Sequence, residues 1–547
     1  MRIALCQTNP VIGDIDGNKK VILDLYQKAC DDKADIAIFP ELSLLGYPPL
    51  DLVEKKEFRE YVKKATAEIA AATIENTAII FGSLHEDIDN VGTNLFNSAY
   101  FCEGGEVKLI QHKTLIPNYD VFDEMRYFEA AKDTAVIEYK GRKLGISICE
   151  DIWNDKDYWK VRLYPEDPIE KLIKKGADLL INISASPYSY GKRIEKEEML
   201  SGLAKKYNSD LVYVNCAGAQ TDLIFDGASM CFDRKGRLSA ICNLYSEDYL
   251  VYNTESAAEE IHLIERAFCA EMHDALALGI KDYCRKPGFK KVLIGLSGGI
   301  DSAIVVYLAV KALGAENVNV VMMPSQYSSK GSIDDSVKLI ENLKISAKTI
   351  SVEPVFDAVT EALKPHFEGR PQDVTEENLQ SRIRGLYLMA ISNKFGYLLL
   401  TTGNKSEIAT GYATLYGDMC GALAVIGDVY KTDIYRLAEY INRDSEIIPK
   451  EIIEKEPSAE LRHNQKDSDS LPPYEVLDAI LRMYLEENKE SEEISAVTGD
   501  AQLTKKVLRL VDINEFKRKQ AAPVLRISYK AFGYGRRFPI VQKWRNQ

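Results

Sequence analysis

Along the first half of the chain, short β-branched and apolar runs alternate with longer stretches of helical period, and polar residues or glycine bound each run. The strand-like runs are RIALCQTN from Arg2, IAIFPE from Ile36, TAIIFGSL from Thr77, LGISICEDIW from Leu144, ADLLINISASP from Ala177 and LVYVNCAG from Leu211. Their rhythm predicts parallel, well-buried strands. Around YLVYNTESAAEEIHLIERAFCAEMHDALALGIKDYCRKPG the last run gives way to a long amphipathic helix, stopped by Pro287 and Gly288. A domain boundary is expected near residues 255 to 262, dividing the chain into 1–258 and 259–547. Beyond it, the strands KVLIGL, VNVVMMP, AKTISV and GYLLLTTG alternate with helical stretches such as SAIVVYLAVKALG. This half reads as a doubly wound parallel sheet, so the fold class is α/β throughout. Residues 440–475 are polar and hold Pro457, Pro472 and Pro473, and part of this segment reads as a mobile loop.

Composition narrows the class. At roughly 100 to 200 residues per domain, 547 residues with 46% hydrophobic content make two or three domains, each with its own core. No apolar run of about 18 residues is available to span a bilayer, and the N-terminus has no apolar signal-peptide region, so a cytoplasmic protein without a membrane partner is expected. The cysteines at 6, 30, 102, 149, 216, 231, 242, 269, 284 and 420 form no C-x-x-C pair. That argues against a disulfide framework or a structural zinc site. A formal net charge of −14 disfavours nucleic acid as a partner. Only the C-terminal stretch, with Lys517, Arg518, Lys519, Arg526, Lys530, Arg536 and Arg537, is locally basic.

The stretch LSGGIDSA from Leu296 follows a strand and opens a helix. Small residues let a backbone approach an anion closely, and a helix N-terminus presents unpaired N–H groups to it. Asp301 is placed to hold Mg²⁺ against phosphates. A P-loop nucleotidase would need a lysine here, and none is present. SGGIDS resembles the signature of the ATP pyrophosphatases, a resemblance that implies release of pyrophosphate from ATP after adenylation of a substrate oxygen. By that match Gly295, Leu296, Ser297, Gly298, Gly299, Ile300, Asp301 and Ser302 bind ATP. Further on, EENLQSRIRGLYLMAISNKFGYLLLTTGNKSEIATGYATLYGDMCGALAVIGDVYKTDIYRLA is similar to the synthetase domain of the NAD⁺ synthetase family. The resemblance implies that Thr402 contacts ATP, that Asn378, Glu407 and Lys517 contact deamido-NAD⁺, and that Asp301 and Glu407 hold the metal. Taken alone, Glu407 is also what a helix N-terminus favours, and the basic C-terminal cluster is also what a solvated tail looks like.

An amidation needs ammonia, and releasing it from an amide needs a nucleophile, a base and a partner for the oxyanion. Glu41 in IFPELSLLGYPPLDL, Lys113 in HKTLIPNYDVFDEMRYF and Cys149 in GISICEDIW are candidates. Singly, each has a plainer reading: a buried small hydrophobe for Cys149, a helix-start acid for Glu41, a surface charge for Lys113. As a set they resemble the nitrilase, or carbon–nitrogen hydrolase, superfamily. That implies an αββα sandwich in which Cys149 attacks the carboxamide, Glu41 is the general base and Lys113 stabilises the tetrahedral intermediate. Matching the family assigns Tyr119, Ser186 and Lys192 to glutamine. Ala219-Gln220-Thr221-Asp222 departs from the family's more usual Gly-Gln-Asp-Glu string.

The expected activity is amidation of deamido-NAD⁺ to NAD⁺, with ATP cleaved to AMP and pyrophosphate and ammonia passed internally from glutamine. Glutamine, deamido-NAD⁺, ATP and Mg²⁺ are the implied partners, and family resemblance implies a homo-oligomer. Another synthetase with the same signature, acting on a purine nucleotide, an amino acid or tRNA, is the alternative. A catalytically inactive nucleotide-binding protein is a third reading.

Overall fold

The structure is a computed structural model that describes residues 1–87, 91–255, 261 and 267–544. The chain forms two compact units, Met1–Glu265 and Arg266–Gln547. The expected division between residues 258 and 259 lies outside the described residues.

In the first unit the strands are β1 (Arg2–Gln7), β2 (Ile36–Ile38), β3 (Ala78–Glu86), β4 (Leu95–Glu103), β5 (Glu106–His112), β6 (Val136–Tyr139), β7 (Arg142–Ile148), β8 (Leu179–Ser184), β9 (Asp210–Asn215), β10 (Ala217–Gln220), β11 (Leu223–Asp226), β12 (Met230–Phe232), β13 (Leu238–Ile241) and β14 (Asp248–Asn253). Among the described residues they build two six-stranded sheets, ordered β14-β1-β2-β3-β4-β5 and β13-β12-β9-β8-β7-β6, and a β10–β11 hairpin. The first sheet is covered by α1 (Ile15–Asp31) and α2 (Lys56–Ala71), the second by α3 (Pro168–Lys174) and α4 (Lys192–Tyr207). Between the sheets lies a layer of Ile3, Leu5, Ile36, Ile38, Ile146, Ile148, Ile181, Val212 and Val214, each at most 1% exposed. Two faces of each sheet are thus buried, which is the αββα sandwich expected.

Parallel pairing holds at the centre of each sheet, β1-β2-β3 and β7-β8-β9, but not at the edges. There β14, β4, β5, β6, β12 and β13 pair antiparallel. Antiparallel neighbours need only a short turn, such as Gly104-Gly105 between β4 and β5, where a parallel neighbour needs a crossover helix.

The second unit holds β15 (Val292–Gly295), β16 (Val318–Met322), β17 (Ser346–Thr349), β18 (Leu398–Thr401) and β19 (Leu423–Ala424), with helices α5 (Phe268–Arg285), α6 (Ile300–Leu313), α7 (Lys330–Leu343), α8 (Glu353–Leu363), α9 (Val374–Phe395), α10 (Lys405–Thr410), α11 (Lys431–Ile441), α12 (Lys450–Glu454), α13 (Tyr474–Leu485), α14 (Ser491–Thr498), α15 (Ala501–Ile513) and α16 (Glu515–Arg518). Every pair in the β17-β16-β15-β18-β19 sheet is parallel. The chain moves outward from β15 through β16 to β17, then returns to the other side of β15 as β18. That reversal opens a ligand crevice at the carboxyl ends of β15 and β18. The polar segment 440–475 is largely turns around the short α12, and it is fastened: Glu460 accepts from the hydroxyls of Ser329 at 2.9 Å and Ser332 at 2.8 Å and from Lys455 Nζ at 2.8 Å.

One buried charge fastens the C-terminal stretch. Lys405 Nζ donates to Glu486 Oε1 at 2.7 Å, Ser528 Oγ at 2.8 Å and the carbonyl of Lys530 at 3.0 Å, and lies 2.9 Å from Asp428 Oδ1. Asp428 also accepts the N–H groups of Ile527 and Ser528. Lys405→Met would leave Asp428 buried without its cation, at a cost of about 3–5 kcal/mol. Denaturant unfolding followed by fluorescence should show a lowered midpoint, and an unchanged one would contradict this role.

Candidate active sites, one in each unit

In the first unit the chemistry-bearing side chains stand just past strand ends. Glu41 lies three residues beyond β2 in a turn laid across β3, where a Cβ on Gly82 would sit 2.1 Å from Leu42 N and 2.6 Å from Glu41 C. Only glycine permits that approach. Lys113 directly follows β5, and its N–H donates to the carbonyl of Asn97 at 2.8 Å. Cys149 directly follows β7 at φ +43°, a left-handed conformation that is strained for a cysteine, and begins the single turn Cys149–Ile152. The Asp151 carboxylate holds that turn in place by accepting the N–H groups of Ile148 at 3.0 Å, Thr114 at 2.9 Å and Leu115 at 2.7 Å. One side chain therefore fixes the cysteine turn against the residues that follow Lys113.

The three expected catalytic residues converge. Lys113 Nζ donates to Glu41 Oε1 at 2.8 Å and to Glu124 Oε1 and Oε2 at 2.8 and 3.0 Å. Glu41 Oε1 also accepts from Asn97 Nδ2 at 2.6 Å, while Oε2 accepts the Ala185 N–H at 2.8 Å. Lys113 is 0%, Glu41 1% and Cys149 4% exposed. Burial works against the charge on Lys113, but the Glu124 and Glu41 carboxylates outweigh it and hold the ammonium well above the usual lysine range. Burial pushes the Cys149 thiol well up, Glu41 adds to the effect, and Lys113 opposes it. The resting Cys149 side chain is therefore a thiol, and making it a thiolate would need a base to remove its proton.

Glu124 was not singled out in the sequence. Burial raises its carboxyl to about 7 against the pull of Lys113, and it accepts the Tyr47 hydroxyl at 2.9 Å. Its only local signal was its place within HKTLIPNYDVFDEMRYF, eleven positions after Lys113, beside a less buried Asp123.

Of the glutamine candidates, Tyr119 bonds a carboxylate directly. The Tyr119 hydroxyl donates to Glu150 at 2.9 and 3.0 Å, next to the cysteine. Burial raises the Glu150 carboxyl, while Lys113, Tyr119 and Lys192 oppose the rise. Lys192 opens α4 with its Nζ 5.4 Å from the Trp153 ring. Ser186 is buried, and its N–H donates to Asn215 Oδ1 at 2.9 Å. It adjoins Ala185, whose amide holds Glu41. The departing string Ala219–Asp222 forms the tip of the β10–β11 hairpin, with Thr221 at φ +56°.

In the second unit, β15 runs into the 296–299 loop and α6. Ser302 Oγ donates to the carbonyl of Gly299 at 2.9 Å, and the N–H of Gly299 donates to Ser297 Oγ at 3.2 Å. Gly298 has φ +80°, and a Cβ there would lie 2.3 Å from the carbonyl oxygen of Ser332. Gly298→Ala should therefore displace the loop and raise the KM for ATP at least about tenfold; initial-rate kinetics with ATP varied check this.

Asp301, in the first turn of α6, is held from two sides. Asn404 Nδ2 donates to Oδ1 at 2.9 Å, and Lys431 Nζ pairs with Oδ2. Asn404 also caps α10: its side chain accepts the Glu407 N–H at 3.0 Å, and Glu407 Oε2 accepts the Asn404 N–H at 3.1 Å. Asp301, Glu407 and Lys431 thus share one corner. Burial and the Asp301 charge push the Glu407 carboxyl well up, with Lys431 opposing. Thr402 lies one residue past β18, on the way to that corner. Nothing local in the sequence marks Lys431; its place at this corner becomes visible through its pairing with Asp301 across 130 positions.

Asn378 and Lys517 meet the loop that follows α10. Asn378 Oδ1 accepts from Thr414 Oγ1 at 2.9 Å, and Lys517 Nζ donates to the carbonyls of Gly411 at 2.7 Å and Ala413 at 2.8 Å. Burial lowers the lysine's proton affinity, with Asp418 opposing. Both side chains therefore bond to one loop, from α9 and α16, apart from the direct bonds of the Asp301 corner.

A hydrolase-type cysteine centre and a nucleotide-binding loop on separate units define a class of two-part enzyme. The chain matches the carbon-nitrogen hydrolase family over residues 2–260 and the NAD synthase family over residues 272–521. It is 44% identical to the glutamine-dependent NAD(+) synthetase of Synechocystis sp., over 100% of this chain and 99% of that one. The glutamine-dependent NAD(+) synthetase of Thermotoga maritima is 42% identical with the same coverage. The solved structure of glutamine-dependent NAD+ synthetase from Acinetobacter baumannii with ADP superposes with TM-score 0.78 at 38% identity, covering 100% of this chain and 99% of that one. The Cytophaga hutchinsonii enzyme shares the fold at TM-score 0.83 and 23% identity, covering 99% of this chain and 98% of that one. The chain belongs to the glutamine-dependent NAD(+) synthetase family.

Proposed function

We propose that this protein converts deamido-NAD⁺ to NAD⁺, drawing nitrogen from glutamine and cleaving ATP to AMP and pyrophosphate. The observation that carries the reading is the buried Glu41–Lys113–Glu124 cluster beside Cys149, because a synthetase fed by free ammonium has no use for it.

Glu41 takes the Cys149 proton as the sulfur attacks the glutamine carboxamide, and the Lys113 ammonium stabilises the oxyanion. The nitrogen leaves as ammonia with the proton from Glu41, leaving a thioester. Water, deprotonated by Glu41, then releases glutamate and restores the thiol. The Asn97 and Ala185 donors to Glu41 keep its carboxylate oriented for both transfers. Glu150 offers a carboxylate for the substrate's α-ammonium, and Tyr119, Ser186 and Lys192 supply the remaining polar contacts.

In the second unit, the loop Gly295–Ser302 and the N-terminus of α6 take the pyrophosphate of ATP, and Thr402 contacts the same nucleotide. Asn378, Glu407 and Lys517 contact deamido-NAD⁺. The nicotinate carboxylate attacks the α-phosphorus, pyrophosphate departs, and ammonia then displaces AMP from the acyl carbon. Asp301 and Glu407 are a pair of hard oxygen donors of the kind that holds Mg²⁺ together with substrate phosphates. When bound, that ion neutralises phosphate charge. Lys431 contributes a fixed positive charge at the same corner.

The reading extends to internal passage of ammonia, to homo-oligomerisation and to a cytoplasmic setting, where ATP and glutamine are at hand. No described helix is long and apolar enough to cross a membrane. Incubation with deamido-NAD⁺, ATP, Mg²⁺ and either glutamine or ammonium, with NAD⁺ and AMP measured, tests the substrate directly. Equal amounts of NAD⁺ and AMP are expected, and absence of NAD⁺ from both mixtures would refute the reading.

A further inference from the structure

Arg384, on α9, has no role in the steps above. Its helix comes down from the carboxyl side of the sheet, because it carries the chain back to the start of β18, which runs parallel to β15. A Cβ on Gly295, the last residue of β15, would sit 3.2 Å from Leu388 Cδ1 and 3.3 Å from Met323 Cε, so those two side chains cover the strand end where the ATP loop begins. Arg384 stands one helical turn before Leu388, about 5.4 Å further toward the crevice. Its Nε–H donates to the carbonyl of Met323 at 3.2 Å, just past the end of β16. That bond uses one of the five N–H groups of a guanidinium, and among the described residues nothing pairs with the others. The Glu460 and Asp418 carboxylates face it, yet both are engaged elsewhere. Glu460 binds Lys455, Ser329 and Ser332, and Asp418 accepts the Thr414 N–H at 2.8 Å.

The other cations near the loop are already spent. Lys431 pairs with Asp301 and Lys455 with Glu460, and LSGGIDSA brings no lysine of its own. Two carboxylates, Asp301 and Glu407, meet a single ammonium at the corner, a balance that repels a polyphosphate. A guanidinium with its paired N–H groups unspent suits phosphate, whose oxygens it binds two at a time. The helix period separates Arg384 from the dinucleotide candidates. Asn378 and Arg382, four positions apart, share one face of α9 and meet one loop: Asn378 accepts from Thr414, and Arg382 Nε–H donates to the carbonyl of Leu415 at 3.3 Å. Arg384 lies about 200° round the helix from Arg382 and reaches the end of β16 instead.

We propose that Arg384 binds the phosphates of ATP, supplying from α9 the positive charge that a P-loop supplies through its lysine. This rests on the reading of Gly295–Ser302 as the ATP loop. The bond to Met323 fixes the guanidinium at the mouth of the crevice and leaves its outer N–H groups for phosphate oxygens.

The test uses the full-length protein with Arg384→Gln and with Arg384→Lys, which keeps the charge but loses the paired N–H groups. Equilibrium dialysis with ATP and Mg²⁺ gives the Kd without turnover, and ammonium-driven NAD⁺ synthesis gives separate KM values for ATP and deamido-NAD⁺. In Arg384→Gln the Kd and KM for ATP should rise at least tenfold, with a smaller rise in Arg384→Lys, while the KM for deamido-NAD⁺ stays within threefold. An unchanged Kd for ATP in Arg384→Gln would overturn the assignment. A rise confined to deamido-NAD⁺ would overturn it by making Arg384 a dinucleotide contact, and an equal rise for both substrates would do so by showing a loosened crevice. If the unmodified protein binds ATP but forms no NAD⁺, the amidation reading fails, and the dialysis result still decides the role of Arg384.

Discussion

Replacing Cys149 with alanine should lower glutamine-driven NAD⁺ synthesis by about four orders of magnitude or more, while ammonium-driven synthesis stays within about twofold of the unmodified protein. The asymmetry follows from where Cys149 stands. It belongs to the buried cluster of the first unit, whereas Asp301 belongs to the second. The effect is large because the proposed mechanism makes its thiol the nucleophile, and no neighbouring side chain can replace it: Glu41 and Glu124 are both occupied on Lys113. Alanine removes only the sulfur, and the Asp151 bonds that hold the turn run through backbone N–H groups of other residues. Steady-state assays with each nitrogen donor measure both rates. Equal loss with glutamine and ammonium, in a protein with an unchanged unfolding midpoint, would contradict the assignment of roles.

Asp301→Asn should have the complementary signature: synthesis falls by about a thousandfold with either nitrogen donor, because the lost charge serves ATP chemistry rather than ammonia release. Asp301 is the anchor of its corner, bonded to Asn404 on one oxygen and Lys431 on the other. An amide keeps the size of the side chain but gives up the charge that balances Lys431 and suits a divalent cation. Glutamate release measured on its own should persist, since no group of the Cys149 cluster is altered. Retention of ammonium-driven synthesis in this variant would remove Asp301 from the reaction.

What could be read from the sequence was local. Glu41 and Cys149 follow apolar runs, and SGGIDS joins a strand to a helix, so these candidates were legible from short motifs with their flanking elements. The β5 strand, EVKLIQH, was missed because it is an edge strand with one exposed side and a weak apolar run. Glu124 and Lys431 were not singled out for a different reason. Each acts through a partner distant in the chain or across a loop, and a lone acid or lysine has no periodicity to mark it. Glu124 acquires meaning only when its loop returns it to Lys113, and Lys431 only when α11 meets α6. The same holds for residues 440–475, whose polar composition suggested freedom, although Glu460 and Lys455 tie part of them to the start of α7.

The central claim is that nitrogen leaves glutamine at Cys149 and enters NAD⁺ at the second unit without passing through the bulk. The direct measurement supplies deamido-NAD⁺, ATP and Mg²⁺ with glutamine labelled by ¹⁵N in its amide and an equal concentration of unlabelled ammonium, then reads the isotope in the carboxamide of NAD⁺ by mass spectrometry. Carboxamide nitrogen that is overwhelmingly ¹⁵N is the predicted result, and a product carrying mainly unlabelled nitrogen would contradict it.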